Sequence, residues 1–136
     1  MDFLKSIAIA ASGLRAQAGR MRVIAENIAN ADSTASTPGA DPFRRKIPTF
    51  TSHIDRTLDA RLVGLGPVRS DPSAFQTKHQ PGHPSADAKG NVKLPNINPL
   101  IEMTDLREAQ RSYEANINVI GASRRMIQRA LDILKA

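Results

Sequence analysis

Residues 1–33 read MDFLKSIAIAASGLRAQAGRMRVIAENIANADS, and the spacing of their apolar side chains decides the fold. Leu4, Ile7, Ala11, Leu14, Ala18, Met21, Ala25 and Ile28 follow one another at alternating steps of three and four, which places them on one face of a helix. Phe3, Ala10 and Ile24 make a second row that widens this face, broken by Gln17, while Arg15, Arg20, Arg22 and Glu26 occupy the remainder. Gly13 and Gly19 each weaken the helix by up to about 1 kcal/mol. The run ends in Asn27–Ser33, where Asn27, Asn30 and Asp32 favour a C-cap and turn.

The other end of the chain repeats the pattern. Met103, Leu106, Gln110, Tyr113, Ile117, Ile120, Arg124, Ile127, Leu131 and Leu134 keep the three–four spacing, with Ala109, Val119, Met126, Ala130 and Ile133 as a second row. Asn98 or Thr104 can cap its start, and Glu102, Asp105 and Glu108 suit the positive end of the helix dipole. All 9 prolines lie between Pro38 and Pro99. Interior proline costs a helix about 3 kcal/mol, so the flanks are free to be helical and the middle is not one long helix. The predicted division is a helix over 1–30, a Pro/Gly-rich middle over 31–100 and a helix over 101–136. The fold class expected is mainly α. The two helices pair as an antiparallel coiled coil forming one inner domain, with a small β or irregular segment between. Within the middle, 46–54 and 58–69 read as short strands, 70–98 as an irregular loop, and 91–94 as a short strand within it. Matching the two stripes end to end sets Leu4 opposite Leu134, Leu14 near Arg124 and Ala18 near Ile120.

Composition removes several function classes. The chain has 136 residues, no Cys and 4% aromatics, which excludes disulfides, a thiolate nucleophile and Cys-ligated metal centres. No run of about 18 apolar residues exists to span a membrane as a helix. The net charge of +6 is dispersed: residues 1–30 carry four cations and two anions, 31–100 nine and six, 101–136 six and five. A basic helical adaptor for nucleic acid is the alternative this charge raises, and its dispersal argues against it. The segment from Lys5 to Leu14 imitates a secretory signal, but Asp2 precedes it, Arg15 interrupts it and the heptad runs through it, so no cleavage is expected. His79 and His83 stand four apart with Pro81 and Gly82 between them, which suits a solvated loop rather than a zinc site. Asp87–Gly90 lacks the acidic alternation of a calcium loop. No acid–base pair or cofactor loop emerges, so no enzyme, cofactor or metal is expected. Phe43-Arg44-Arg45-Lys46 contains the one basic triplet, a cluster suited to acidic side chains of a partner. The two stripes, each with a second apolar row, offer more apolar surface than a single partner helix covers. They call for a bundle or filament built from several subunits.

Ile9–Leu14 with Arg20–Ala31 resembles the N-terminal signature of the bacterial flagellar rod and hook proteins. Pro42–Lys46, His83–Asn96 and Arg111–Asn116 are similar to segments of that family's proximal-rod subunits, with Phe43 where a tyrosine is usual. The resemblance implies a structural subunit, exported unfolded by the flagellar type III apparatus without signal cleavage. It implies helical assembly into the periplasmic drive-shaft of the basal body, which transmits torque. Expected partners are other rod subunits, the rod–MS-ring adaptor and copies of the chain itself, with no nucleic acid and no direct membrane span. The expected assembly seam comprises Leu4, Ile7, Leu14, Met21, Asn27, Ile28 and Asn30 on the first helix. On the second it comprises Leu106, Tyr113, Ile117, Ile120, Ile127, Leu131 and Leu134. Phe43, Arg44, Arg45 and Lys46 are the expected contacts of the middle segment.

Overall fold

A computed structural model describes residues 2–135, so the outermost positions of the predicted division, 1 and 136, lie outside it. Helix α1 spans Phe3–Ala29 and helix α2 spans Pro99–Lys135; between them lie β1 (Lys46–Ile47), β2 (Phe50–Asp55), β3 (Ala60–Leu65), β4 (Arg69–Ser70), β5 (Gln76–His79) and β6 (Asn91–Leu94). Asp2 caps α1, its Oδ1 accepting the Lys5 N–H at 3.2 Å. After the last turn Asn30 closes the helix, its Nδ2 donating to the Glu26 carbonyl at 2.8 Å. Asn98 caps α2 by accepting the Leu100 N–H at 3.1 Å, and Pro99 takes the first helical position, where its missing N–H costs nothing. The helix therefore begins at 99, two residues earlier than predicted.

The chain forms two compact units. The first contains α1 up to Met21, Thr49–Pro67 and α2 from Arg107. Its β2–β3 hairpin runs in register from Phe50↔Leu65 to Asp55↔Ala60. The turn is held by Asp55, whose Oδ1 accepts the Thr57 and Leu58 N–H groups, and Asp59 closes it at φ 45°. Ala60 and Leu62 are buried, and the Val63 N–H donates to Ser12 Oγ at 3.2 Å. A Cβ on Gly19 would meet Leu65 Cδ2 at 2.9 Å, so glycine lets the hairpin approach α1. On Gly13 a Cβ would meet Asn116 Nδ2 at 2.9 Å, and Arg20 Nη2 lies 3.7 Å from Glu108 Oε2.

These contacts correct the predicted register. Gly13 meets Asn116, about two turns before Arg124, the residue that end-to-end matching places near Leu14. Likewise Arg20 reaches Glu108, so Ala18 does not face Ile120. End-to-end matching presumes helices of similar span, whereas α1 has 27 residues and α2 has 37. Leu4 shares a cavity with Ile127 rather than with Leu134.

The second unit contains Arg22–Pro48 and Val68–Leu106. Here β1 pairs with β4 and β5 with β6, both antiparallel. The predicted strand over 46–54 is broken by Pro48, which has no N–H to donate, and the one over 58–69 is interrupted at 66–68 beside Pro67. Strand β5 corrects the reading of 70–98 as irregular outside 91–94. Its Gln-Thr-Lys-His sequence is polar and exposed throughout, so no alternation reveals it, and the fully buried Val92 lies opposite in β6. Between the strands Gly90 adopts φ 77°, and Asp87 Oδ1 accepts the Lys89 and Asn91 N–H groups.

Candidate assembly surfaces

The apolar stripe of α1 is not what the chain buries. Leu4 is 69% exposed, and Ile7, Leu14, Met21 and Ile28 are half-buried. The buried positions are Ala10, Ser12, Ala16, Val23, Ile24 and Asn27. At about 100° per residue, Ser12, Ala16, Val23 and Asn27 lie roughly opposite the centre of the stripe. Small and polar side chains thus serve the intrachain contact: Ser12 takes a strand amide, and glycine at 13 and 19 admits close neighbours. Val23 and Ile24 are the larger apolar side chains buried with them, while those of the stripe itself stay exposed or half-buried.

Helix α2 behaves similarly. Its buried residues, Glu102, Ala109 and Ser123, are spaced by multiples of seven and so share one face with the half-buried Asn116. Of the predicted seam, Leu106, Tyr113, Ile120 and Ile127 are half-buried, while Ile117, Leu131 and Leu134 are exposed. In the last three turns Met126, Ile127, Ala130, Leu131, Ile133 and Leu134 cover a continuous arc of about 160°, and Arg124, Arg125, Arg129 and Lys135 lie outside it.

The basic segment is engaged inside its own chain. Arg45 Nε donates to Glu102 Oε1 at 2.6 Å, Nη1 lies 3.4 Å from Asp71 Oδ2, and Nη2 lies 4.0 Å from Asp105 Oδ2. The Glu102 side chain is 1% exposed, and its second oxygen accepts Asn27 Nδ2 at 3.1 Å. A buried carboxylate is tolerable only with such partners. Asn27 also brackets Lys46: Nδ2 donates to its carbonyl at 2.8 Å and Oδ1 accepts its N–H at 2.9 Å. Lys46 Nζ reaches Glu26 Oε1 at 2.5 Å and lies over the Phe43 ring. Arg44 donates to the Asp71 and Ser73 carbonyls, both at 2.9 Å, and stacks on Phe75 with 4.1 Å to the ring centre. The acidic side chains anticipated from a partner are thus supplied by the same chain. Burial works against the charge of Arg45, but its hydrogen bonds to Glu102 and Asp71 outweigh that and raise its pKa. The Ser73 backbone N–H, then its hydroxyl and Arg45, hold Asp71 below the usual carboxylate range.

Two members of this clamp escaped sequence reasoning in their roles. Glu102 reads as a dipole partner at a helix start, yet it is the buried acceptor for an arginine 57 residues away, a separation that carries no local signal. Asn96, whose Oδ1 accepts the Arg45 N–H at 2.8 Å, falls in the sequence reading only within the irregular 70–98 loop. Both loop histidines use ring nitrogens locally: His79 Nδ1 meets Asn91 Oδ1, and His83 Nδ1 accepts the Ser85 N–H. Among the described residues no cluster of three His, Cys, Asp or Glu could hold a metal ion, and no helix is long and apolar enough to cross a membrane.

Two long helices with uncommitted apolar faces, joined by a small β segment, define a structural, assembling protein. Family comparisons place it in the flagellar rod. Residues 7–40 match the model for flagella basal body rod protein, and residues 88–133 match that for the C-terminal part of flagellar basal body rod FlgEFG proteins. The flagellar basal-body rod protein FlgC of Agrobacterium fabrum is 49% identical over 94% of this chain and 92% of its own length. FlgC proteins of Borreliella burgdorferi and Bacillus subtilis are 38% and 35% identical, each over 99% of this chain and nearly all of the relative. The chain belongs to the FlgC family of flagellar basal-body rod proteins, and it is a structural subunit of that rod.

Proposed function

We propose that this chain assembles helically, through the exposed faces of α1 and α2, into the periplasmic drive-shaft that transmits torque through the basal body. The observation that carries this reading is the orientation of the helices' apolar surface. None of the stripe positions from Leu4 to Ile28 or from Met103 to Leu134 is fully buried in the single chain. Within one subunit the two helices pair as an antiparallel coiled coil, a reading supported in the first unit by Gly13 against Asn116 and Arg20 against Glu108. The expected neighbours are other rod subunits, copies of the chain and the rod–MS-ring adaptor. The flagellar type III apparatus delivers the subunit without signal cleavage. In this reading the chain has no catalytic role. The nucleic-acid alternative draws no support from the basic triplet: Arg45 and Lys46 face Glu102, Asp71 and Glu26, and Arg44 is held by the Asp71 and Ser73 carbonyls and the Phe75 ring.

Leu14→Asp and Ile117→Asp test the proposal. Each puts a carboxylate into a seam that assembly would bury, at a cost of several kcal/mol. Export of the variant is expected to continue while basal bodies lack a complete rod and cells lose motility. Motile cells with intact rods would show that the stripes are not the seam.

A further inference from the structure

Within the second unit, the last turns of α1 and the β1–β4 ribbon enclose an open cleft of about 320 Å³. Asp71 donates its N–H to the Arg45 carbonyl, so Arg45 and Asp71 form a hydrogen-bonded pair of this antiparallel ribbon. The next pair, Lys46↔Ser70, is therefore a non-bonded one, and both residues turn their N–H and C=O away from each other. On the β1 side Asn27 occupies both groups of Lys46. On the β4 side the two groups of Ser70 have no hydrogen-bond partner among the described residues. One edge of the ribbon is plugged by a side-chain amide and the other is open.

The charges of the cleft are equally asymmetric. Glu26 and Lys46 line it but satisfy each other at 2.5 Å. Arg22 and Arg69 also line it, both are exposed, and neither has an acidic partner among the described residues. Val68 adds an apolar wall that is 42% exposed. We propose that this cleft binds an extended, acidic segment of a second polypeptide, added as a strand to the open edge of β4. The strand's backbone would pair with Ser70, one carboxylate would meet the guanidinium groups of Arg22 and Arg69, and the apolar side chain of the adjacent residue, on the strand's other face, would cover Val68. Guanidinium groups favour a carboxylate here, and the backbone pairing requires a peptide rather than a free anion. The proposal goes beyond the rod reading, because it involves none of the helix-seam residues.

The test uses the full chain, isotopically labelled, titrated with a capped octapeptide of alternating glutamate and valine. Saturable shifts are expected at the amides of Val68, Arg69 and Ser70. Arg22→Gln and Arg69→Gln should each weaken binding by about threefold, the size of one exposed ion pair, whereas Arg56→Gln in the β2–β3 turn should leave it unchanged. The same peptide N-methylated at alternate amides should lose binding, and a lysine–valine octapeptide should not bind. Equal binding of the N-methylated peptide, or the same shifts produced by inorganic phosphate alone, would reduce the cleft to an anion patch and overturn the proposal. So would saturable shifts confined to α2, or shifts at the cleft only on anionic phospholipid vesicles. Rod assembly in cells carrying Leu14→Asp bears on the seam alone, so the two readings fail separately.

Discussion

Around Arg45 the charged groups have counterparts in the same chain: Glu102 and Asp71 for Arg45 itself, and Glu26 for Lys46. Along the last three turns of α2 the reverse holds. Arg124, Arg125 and Arg129 are exposed with no acidic partner among the described residues, and Leu131, Ile133 and Leu134 are 51%, 76% and 82% exposed. A buried charge needs a partner fixed in distance and direction, which one folded chain can supply alone. Apolar surface needs only to leave water, so any neighbour of the right shape serves. The clamp therefore belongs to folding, the distal helix is the surface we propose for assembly, and substitutions in the two should separate cleanly.

The largest effect is expected in the clamp. Arg45→Ala leaves the buried Glu102 carboxylate without its cation and should lower the stability of the soluble chain by about 3–5 kcal/mol in urea denaturation. A loss below 1 kcal/mol would mean that the carboxylate is not isolated from water. Next comes the helix register. Gly13→Cys with Asn116→Cys should oxidise to a disulfide, since a Cβ at 13 lies 3.1 Å from Asn116 Cγ, and should add about 2–4 kcal/mol. The absence of native cysteine keeps that experiment clean, and Ala18→Cys with Ile120→Cys should stay reduced. A bond between 18 and 120 but not 13 and 116 would restore the end-to-end register.

In the distal helix, Leu131→Ala with Ile133→Ala should change monomer stability by no more than about 0.5 kcal/mol, while rods fail to form in cells. A large loss in the monomer would erase the contrast. The smallest effect is in acid. Asp71 is held below its ordinary 3.8, so its contribution is present above that value and fades as pH falls through its lower folded-state pKa. Stability should decline below pH 3.8 more steeply in the natural chain than in Asp71→Asn, followed by circular dichroism during acid titration.

Both helices were legible in the sequence because a three–four spacing is a local property and survives any tertiary context. Asn30 and Asn98 marked their ends by chemistry that acts within a few residues. The clamp was not legible. Arg45 and Glu102 are far apart in the chain, and nothing near either one signals the other. Strand β5 escaped for a related reason, because its four polar residues are a strand only by virtue of β6 beside them. The stripes lie on these two helices, yet spacing alone could not say which face the chain would keep for itself. That choice turned on Ser12, Gly13, Ala16 and Gly19, residues too small to register as a pattern.

Asn27 also bears on how long the folded chain can last. Its side-chain nitrogen donates to the Lys46 carbonyl and the Glu102 carboxylate, and its oxygen accepts the Lys46 N–H. Hydrolysis of that amide to an acid would remove both donations and set a second carboxylate against Glu102, trading two attractions for a repulsion. The side chain is 0% exposed, so the water that such ageing consumes is kept away by the packing that the amide itself secures. The same burial that makes Asn27 a structural pin thus shields it from chemical wear.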